Sequence, residues 1–78
     1  MKNNNIKIQN KLKECRDKAG FTQFEVMLKL GFHSTDRLSK WEQGHQLPNL
    51  INLFKLAKIY NVTPNELFPE LSETNLLI

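Results

Sequence analysis

Apolar side chains along the chain recur at steps of three and four, broken at short intervals by polar residues and glycines. Ile8, Leu12, Cys15 and Ala19 fall on one face of a helix expected over residues 6–19, with Gly20 as its stop. Thr22 and Glu25 stand three apart, the spacing of a capping box, ahead of Val26, Met27 and Leu30. Gly31 closes that second helix. Ser34 is a candidate cap for a third, which holds Leu38 and Trp41 and ends at Gly44. Pro48 and Asn49 open a fourth, with Leu50, Leu53, Phe54, Ala57 and Tyr60 expected on its buried side and Asn61 as its left-handed stop. Thr63-Pro64 starts a short fifth helix, with proline at its first position and Glu66 in its first turn. Leu67 and Phe68 would pack back onto the core, and Pro69 limits that helix. No segment sustains a period of two, so the expected fold is all-α, five short helices joined by short loops.

One of these helices has an odd balance. In GFHSTDRLSKWEQG, residues 31–44, only Leu38 and Trp41 have the spacing of core positions. The other side chains between Ser34 and Lys40 are rich in hydrogen-bonding groups and would face outward. The second and third helices are short and joined by a glycine-containing turn. That is the outline of a helix-turn-helix, whose second helix enters the DNA major groove. Many small helical bundles share the outline, so it alone does not decide.

Charge sharpens the picture. The net charge of the 78 residues is +3, but residues 1–60 hold all 11 Lys and Arg against five acids, a net +6. Residues 61–78 hold only Glu66, Glu70 and Glu73, a net −3. A basic body with an acidic end fits a polyanion-binding face turned away from a separate region, or else a solvated surface without a partner. A chain of this length makes one small domain whose core is marginal in size, so dimerisation would help to stabilise it. The content of 40% hydrophobic and 24% charged residues is that of a folded chain. Cys15 is the single cysteine, which excludes an internal disulfide and a multi-cysteine metal site, and its place in line with Ile8 and Leu12 makes it a core thiol. There is no glycine-rich phosphate loop, no metal-spaced His/Cys set and no nucleophile–base pair. An enzyme is therefore not expected, nor a cofactor, nor a metal. His33 and His45 stand alone in turns. No apolar run approaches the ~18 residues that would span a bilayer, and MKNNN leads into a charged segment rather than a secretory leader, so a cytoplasmic location is expected. Residues 1–5 read as a flexible arm, 6–70 as the domain, and 71–78 as a tail.

From Arg16 to Phe68 the string R-x-x-x-G-F-T-Q-x-E-V … L-G … S-T-D-R-L-S-K-W-E-x-G … P-x-L-x-x-L-x-K-L-A-K-x-Y-x-V-T-P-x-E-L-F resembles the Cro/C1-type (XRE-like) helix-turn-helix family of phage repressors and bacterial transcriptional regulators. It covers about two-thirds of the chain. The resemblance implies a five-helix, lambda-repressor-like DNA-binding domain with the helix-turn-helix at helices two and three. It implies a phosphate contact for Gln23, and base reading by Thr35, Asp36 and Lys40. Ser34 and Arg37 match neighbouring positions that reach base or phosphate, and Gln43 a further backbone contact. It also implies that Arg16, near the end of the first helix, pairs with Glu42 at the end of the third.

Chemistry bears on these roles unevenly. Lys40 can donate to guanine O6 and N7, the Thr35 methyl can pack on a thymine methyl, and Asp36 can accept from cytosine N4. Asp36 is equally explained as an acid favoured by the helix dipole in a first turn. An Arg16–Glu42 pair would join scaffold to reading helix, and loss of one partner would leave an uncompensated charge. Trp41 is expected in the core rather than stacked on DNA. Between Gly31 and Glu42 there is one residue more than in the shorter repressors, so roles are better counted from Glu42. Met27 stands where the family commonly has a small residue, and a wider or rotated helix crossing would follow. Phe24 and Leu28, four apart, point away from Val26 and Leu30, either half-buried against a neighbouring element or forming a partner patch. Leu71 and Leu76-Leu77-Ile78 pose the same choice between covering the core and forming a dimer seam. Two functions follow as expectations. The first is a dimeric, sequence-specific transcriptional regulator, a repressor, that inserts its third helix (about Ser34–Gln43) into the major groove of double-stranded DNA at a palindromic operator. The second is a protein-interaction module or antitoxin-type regulator that uses the Phe24/Leu28 face or the tail.

Overall fold

A computed structural model describes residues 7–70; the expected arm and tail, residues 1–5 and 71–78, lie outside the described residues. Five helices follow in order: α1 (Leu12–Ala19), α2 (Gln23–Leu30), α3 (Asp36–Glu42), α4 (Leu50–Tyr60) and α5 (Pro64–Leu67), with no strand among the described residues. The all-α, five-helix expectation holds. Each helix sends one aliphatic side chain to the centre: Leu12, Val26, Leu38, Leu56 and Leu67 are all at most 1% exposed. Each such burial is worth about 1.5–3 kcal/mol. Met27, Trp41, Tyr60 and Phe68 complete the core.

The helix ends explain much of the packing. After α1, α2 and α4, a left-handed residue (Gly20, Gly31, Asn61) lets the next N–H reach back to a carbonyl of the last turn. Phe21 N–H bonds Arg16 O at 3.2 Å, Phe32 N–H bonds Met27 O at 3.0 Å, and Val62 N–H bonds Ala57 O at 2.9 Å. In this motif the residue after the stop turns inward. Phe21, Phe32 and Val62 accordingly pack against the core.

Three expectations need correction. The first helix begins at Leu12, not near residue 6. Residues 8–11 are claimed by distant partners instead: Ile8 N–H bonds Gly44 O at 2.9 Å and Lys11 N–H bonds Leu67 O at 2.8 Å. The Asn10 amide donates to Trp41 O at 3.1 Å, while its oxygen accepts the first N–H of α1, that of Leu12, at 3.0 Å. Ile8 still packs on the core, but from this non-helical segment. Second, α3 starts at Asp36, with Thr35 rather than Ser34 at the cap position and no cap bond from the Thr35 side chain. The Ser34 hydroxyl accepts from Asp36 N–H at 3.3 Å from one residue further out. Third, α4 does not bury Leu50 and Phe54, which are 66% and 55% exposed. Its inner stripe is Leu53, Leu56, Ala57 and Tyr60, one complete i, i+3, i+4, i+7 set. Leu47, Leu50, Ile51 and Phe54 form a second apolar strip that faces out.

Candidate nucleic-acid interface

The start of α2 is fixed by local chemistry. Thr22 Oγ1 accepts from Glu25 N–H at 3.1 Å and the Glu25 carboxylate accepts from Thr22 N–H at 2.9 Å, a complete capping box. Gln23 is therefore the first helical residue, held at a defined angle. At the far end of α3 stands Glu42, whose side chain is only 6% exposed. Arg16 reaches it from α1 with two bonds, Nε to Oε2 at 2.7 Å and NH2 to Oε1 at 3.1 Å. A third Arg16 donor bonds Phe21 O at 3.0 Å. The hydrogen bond to Glu42 holds the guanidinium pKa above its ordinary value, against the opposing effect of burial. Gln23 joins the same carboxylate, its Nε2 donating to Glu42 Oε1 at 2.9 Å. One carboxylate thus ties together α1, the start of α2 and the end of α3.

The turn between α2 and α3 is held by aromatic packing. Phe32 lies against Trp41 edge to face, ring centroids 5.9 Å apart at 68°. The Arg37 guanidinium sits 4.1 Å above the Phe32 ring and 5.6 Å from Trp41. Cation–π contacts of this kind hold an arginine that remains exposed on its other side. Along the outer surface of α3 and its flanks, Ser34, Asp36, Arg37, Lys40 and Gln43 are exposed and Thr35 is half-buried. Gln43 donates to Ser39 Oγ at 2.7 Å. Gln23 is separated from this row and linked to it through Glu42.

Two residues on which the site depends were not singled out from the sequence. Phe32 had a local signal, an apolar residue directly after a left-handed glycine. Asn10 had none, because its partner Trp41 lies 31 residues away. Phe24 and Leu28 are each 59% exposed and so stand outside the core. No helix among the described residues is long and apolar enough to cross a membrane. Among those residues no group of three or more His, Cys, Asp or Glu could hold a metal ion.

Two short helices joined by a glycine turn, the second anchored by Leu38 and Trp41 with its polar side outward, define a helix-turn-helix domain. A helix-turn-helix family profile matches residues 12–67, and the chain belongs to the Cro/C1-type (XRE-like) helix-turn-helix family of DNA-binding regulators. It is similar to the HTH-type transcriptional regulator ImmR of Bacillus subtilis (strain 168), 36% identical over 72 residues. That stretch covers 90% of this chain and 56% of ImmR, so the chain spans little more than half the length of this relative.

Proposed function

We propose that the protein is a sequence-specific transcriptional regulator that binds double-stranded DNA as a dimer, reads a palindromic operator with α3 and represses by occupying it. The observation that carries this reading is the two-sidedness of α3: Leu38 and Trp41 are 1% and 2% exposed, whereas Asp36, Arg37 and Lys40 face solvent. Thr35, Asp36 and Lys40 are assigned to base edges, Ser34 and Arg37 to base or phosphate, and Gln23 and Gln43 to the backbone. The apolar strip Leu47, Leu50, Ile51 and Phe54 supports the dimer, because a two-fold axis can close such a strip on itself. Reading helices of the two protomers would then lie about 34 Å apart, one turn of the duplex.

The test is selection of bound sites from a random duplex library, followed by titration of the selected duplex at two salt concentrations. An inverted repeat and an affinity that falls steeply with salt are expected. Lys40→Ala should cost about 1–3 kcal/mol on the selected site and less on random DNA. An equal loss on both makes Lys40 a phosphate contact. Absence of binding at about 50 mM salt, where phosphate contacts are strongest, refutes the DNA reading. A second reading, a module that binds another protein, is favoured by the exposure of Phe24 and Leu28 on α2.

A further inference from the structure

We propose that Glu42 is a positioning residue for DNA: besides pairing with Arg16, it aims the Gln23 amide so that its second N–H is presented to a backbone phosphate. The inference rests on the DNA-binding reading above and adds to it the device that sets one contact.

Chemistry fixes which way the amide points. The oxygen and nitrogen of a glutamine amide are assigned from their partners. Here the partner is a carboxylate held by a guanidinium, which offers acceptors only. The Gln23 NH2 must therefore face Glu42 Oε1, where it lies at 2.9 Å. One of its two hydrogens is used there and the other is free to donate. Gln23 is the first residue of α2, and the N–H groups of a first turn have no carbonyl of their own helix to serve. The capping box takes the N–H of Glu25 and leaves those of Gln23 and Phe24 for an outside acceptor. A phosphate oxygen placed there meets main-chain donors, the positive end of the helix and the aimed amide together.

The carboxylate is a rigid base for this purpose. It is nearly buried, gripped at both oxygens by Arg16, and Arg16 is itself tied to Phe21 O at 3.0 Å. Its charge, which would repel a phosphate, is offset by the same guanidinium. A glutamine held before binding loses less rotamer freedom on binding than a free one. The gain corresponds to roughly five- to tenfold in affinity at that one phosphate.

The test has two arms on the full chain. In the free protein, relaxation of the 15N-labelled side-chain amides is measured by NMR. The Gln23 amide should be as ordered as the backbone of α2, and those of the exposed Gln9 and Gln46 mobile. On the selected duplex, single phosphates are replaced in turn by neutral methylphosphonates. One replacement near the α2 start should cost the wild type roughly five- to tenfold more than it costs Gln23→Met, which keeps only the main-chain share of that contact. Glu42→Asp keeps the charge beside Arg16 but is one methylene shorter. It should lower the loss at that phosphate toward that of Gln23→Met and keep the losses at all others, which a merely structural role would not do. A mobile Gln23 amide in a wild type that binds DNA overturns the proposal alone. So does full sensitivity at that phosphate in folded Glu42→Asp. If Glu42→Asp does not fold, amide order and Gln23→Met decide. A wild type that binds no DNA overturns both this proposal and the functional reading.

Discussion

Gly44 is where a single methyl group should do the most damage. It has φ +82°, a left-handed value that costs any other residue about 1–2 kcal/mol. Gly31 has nearly the same conformation, φ +78°, but a Cβ there would meet no atom within 4 Å. At Gly44 a Cβ would stand 2.6 Å from Ile8 O, 2.9 Å from Ile8 N and 3.2 Å from the Lys7 Cβ. Two of these are main-chain atoms, so the segment before α1 must lift away from the end of α3. Lifting it opens the bond from Ile8 N–H to Gly44 O, worth about 1 kcal/mol, and strains that from Asn10 to Trp41 O, worth about as much. Gly31→Ala should therefore lose about 1–2 kcal/mol, and Gly44→Ala about 3–4 kcal/mol. At roughly 4–8 °C per kcal/mol for a domain of this size, the second variant should melt about 10 °C below the first. Urea and thermal unfolding followed by far-UV circular dichroism measure both. A cycle with a chain lacking residues 1–8 isolates the contact: without Ile8, Gly44→Ala should cost no more than Gly31→Ala. Equal losses for the two variants in the full chain would refute the reasoning, because the clamp on the end of α3 would then contribute nothing.

Two further outcomes follow from buried and exposed groups. The Tyr60 hydroxyl is buried with no hydrogen-bond partner among the described residues, and burial, with the nearby Glu42 charge, pushes its pKa well above the ordinary value of about 10. The folded state thus favours the neutral phenol, so this contribution is complete below pH ~10 and is lost as pH rises past it. Tyr60→Phe should be as stable as the wild type at neutral pH, or more stable by up to about 1 kcal/mol, and should lose less stability in alkali; a clear destabilisation would mean that the hydroxyl has a partner. Ile51→Glu, at a side chain 65% exposed, should change the unfolding free energy of the dissociated monomer by less than about 0.5 kcal/mol while shifting sedimentation toward monomer and weakening binding to the inverted repeat. An unchanged oligomeric state would remove the α4 strip from the dimer.

What could be read from the sequence divides along the range of the interactions. The start and stop of α2 were legible because Thr22, Glu25 and Gly31 act within a few residues of themselves. The start of α1 was not, because Ile8, Asn10 and Lys11 take their partners from Gly44, Trp41 and Leu67. In α4 the sets Leu50, Leu53, Phe54, Ala57 and Leu53, Leu56, Ala57, Tyr60 have the same helical spacing, and only packing against the other helices chooses between them. The interface shows the same divide. The residue types on the outer side of α3 are visible in the string STDRLSK, but that Gln23 shares a carboxylate with Arg16 is a fact of tertiary structure. At its N-terminal end α3 follows the turn that begins at Gly31. Phe32 takes up that turn by packing on Trp41. The polar anchors lie at the other end, where Glu42 is held by Arg16 and Gln23, and Gly44 and Trp41 are bonded by Ile8 and Asn10. The C-terminal end of α3 is thus the fixed end, and any base reading by this helix takes its register from Glu42, with Lys40 half a turn before it, rather than from Gly31.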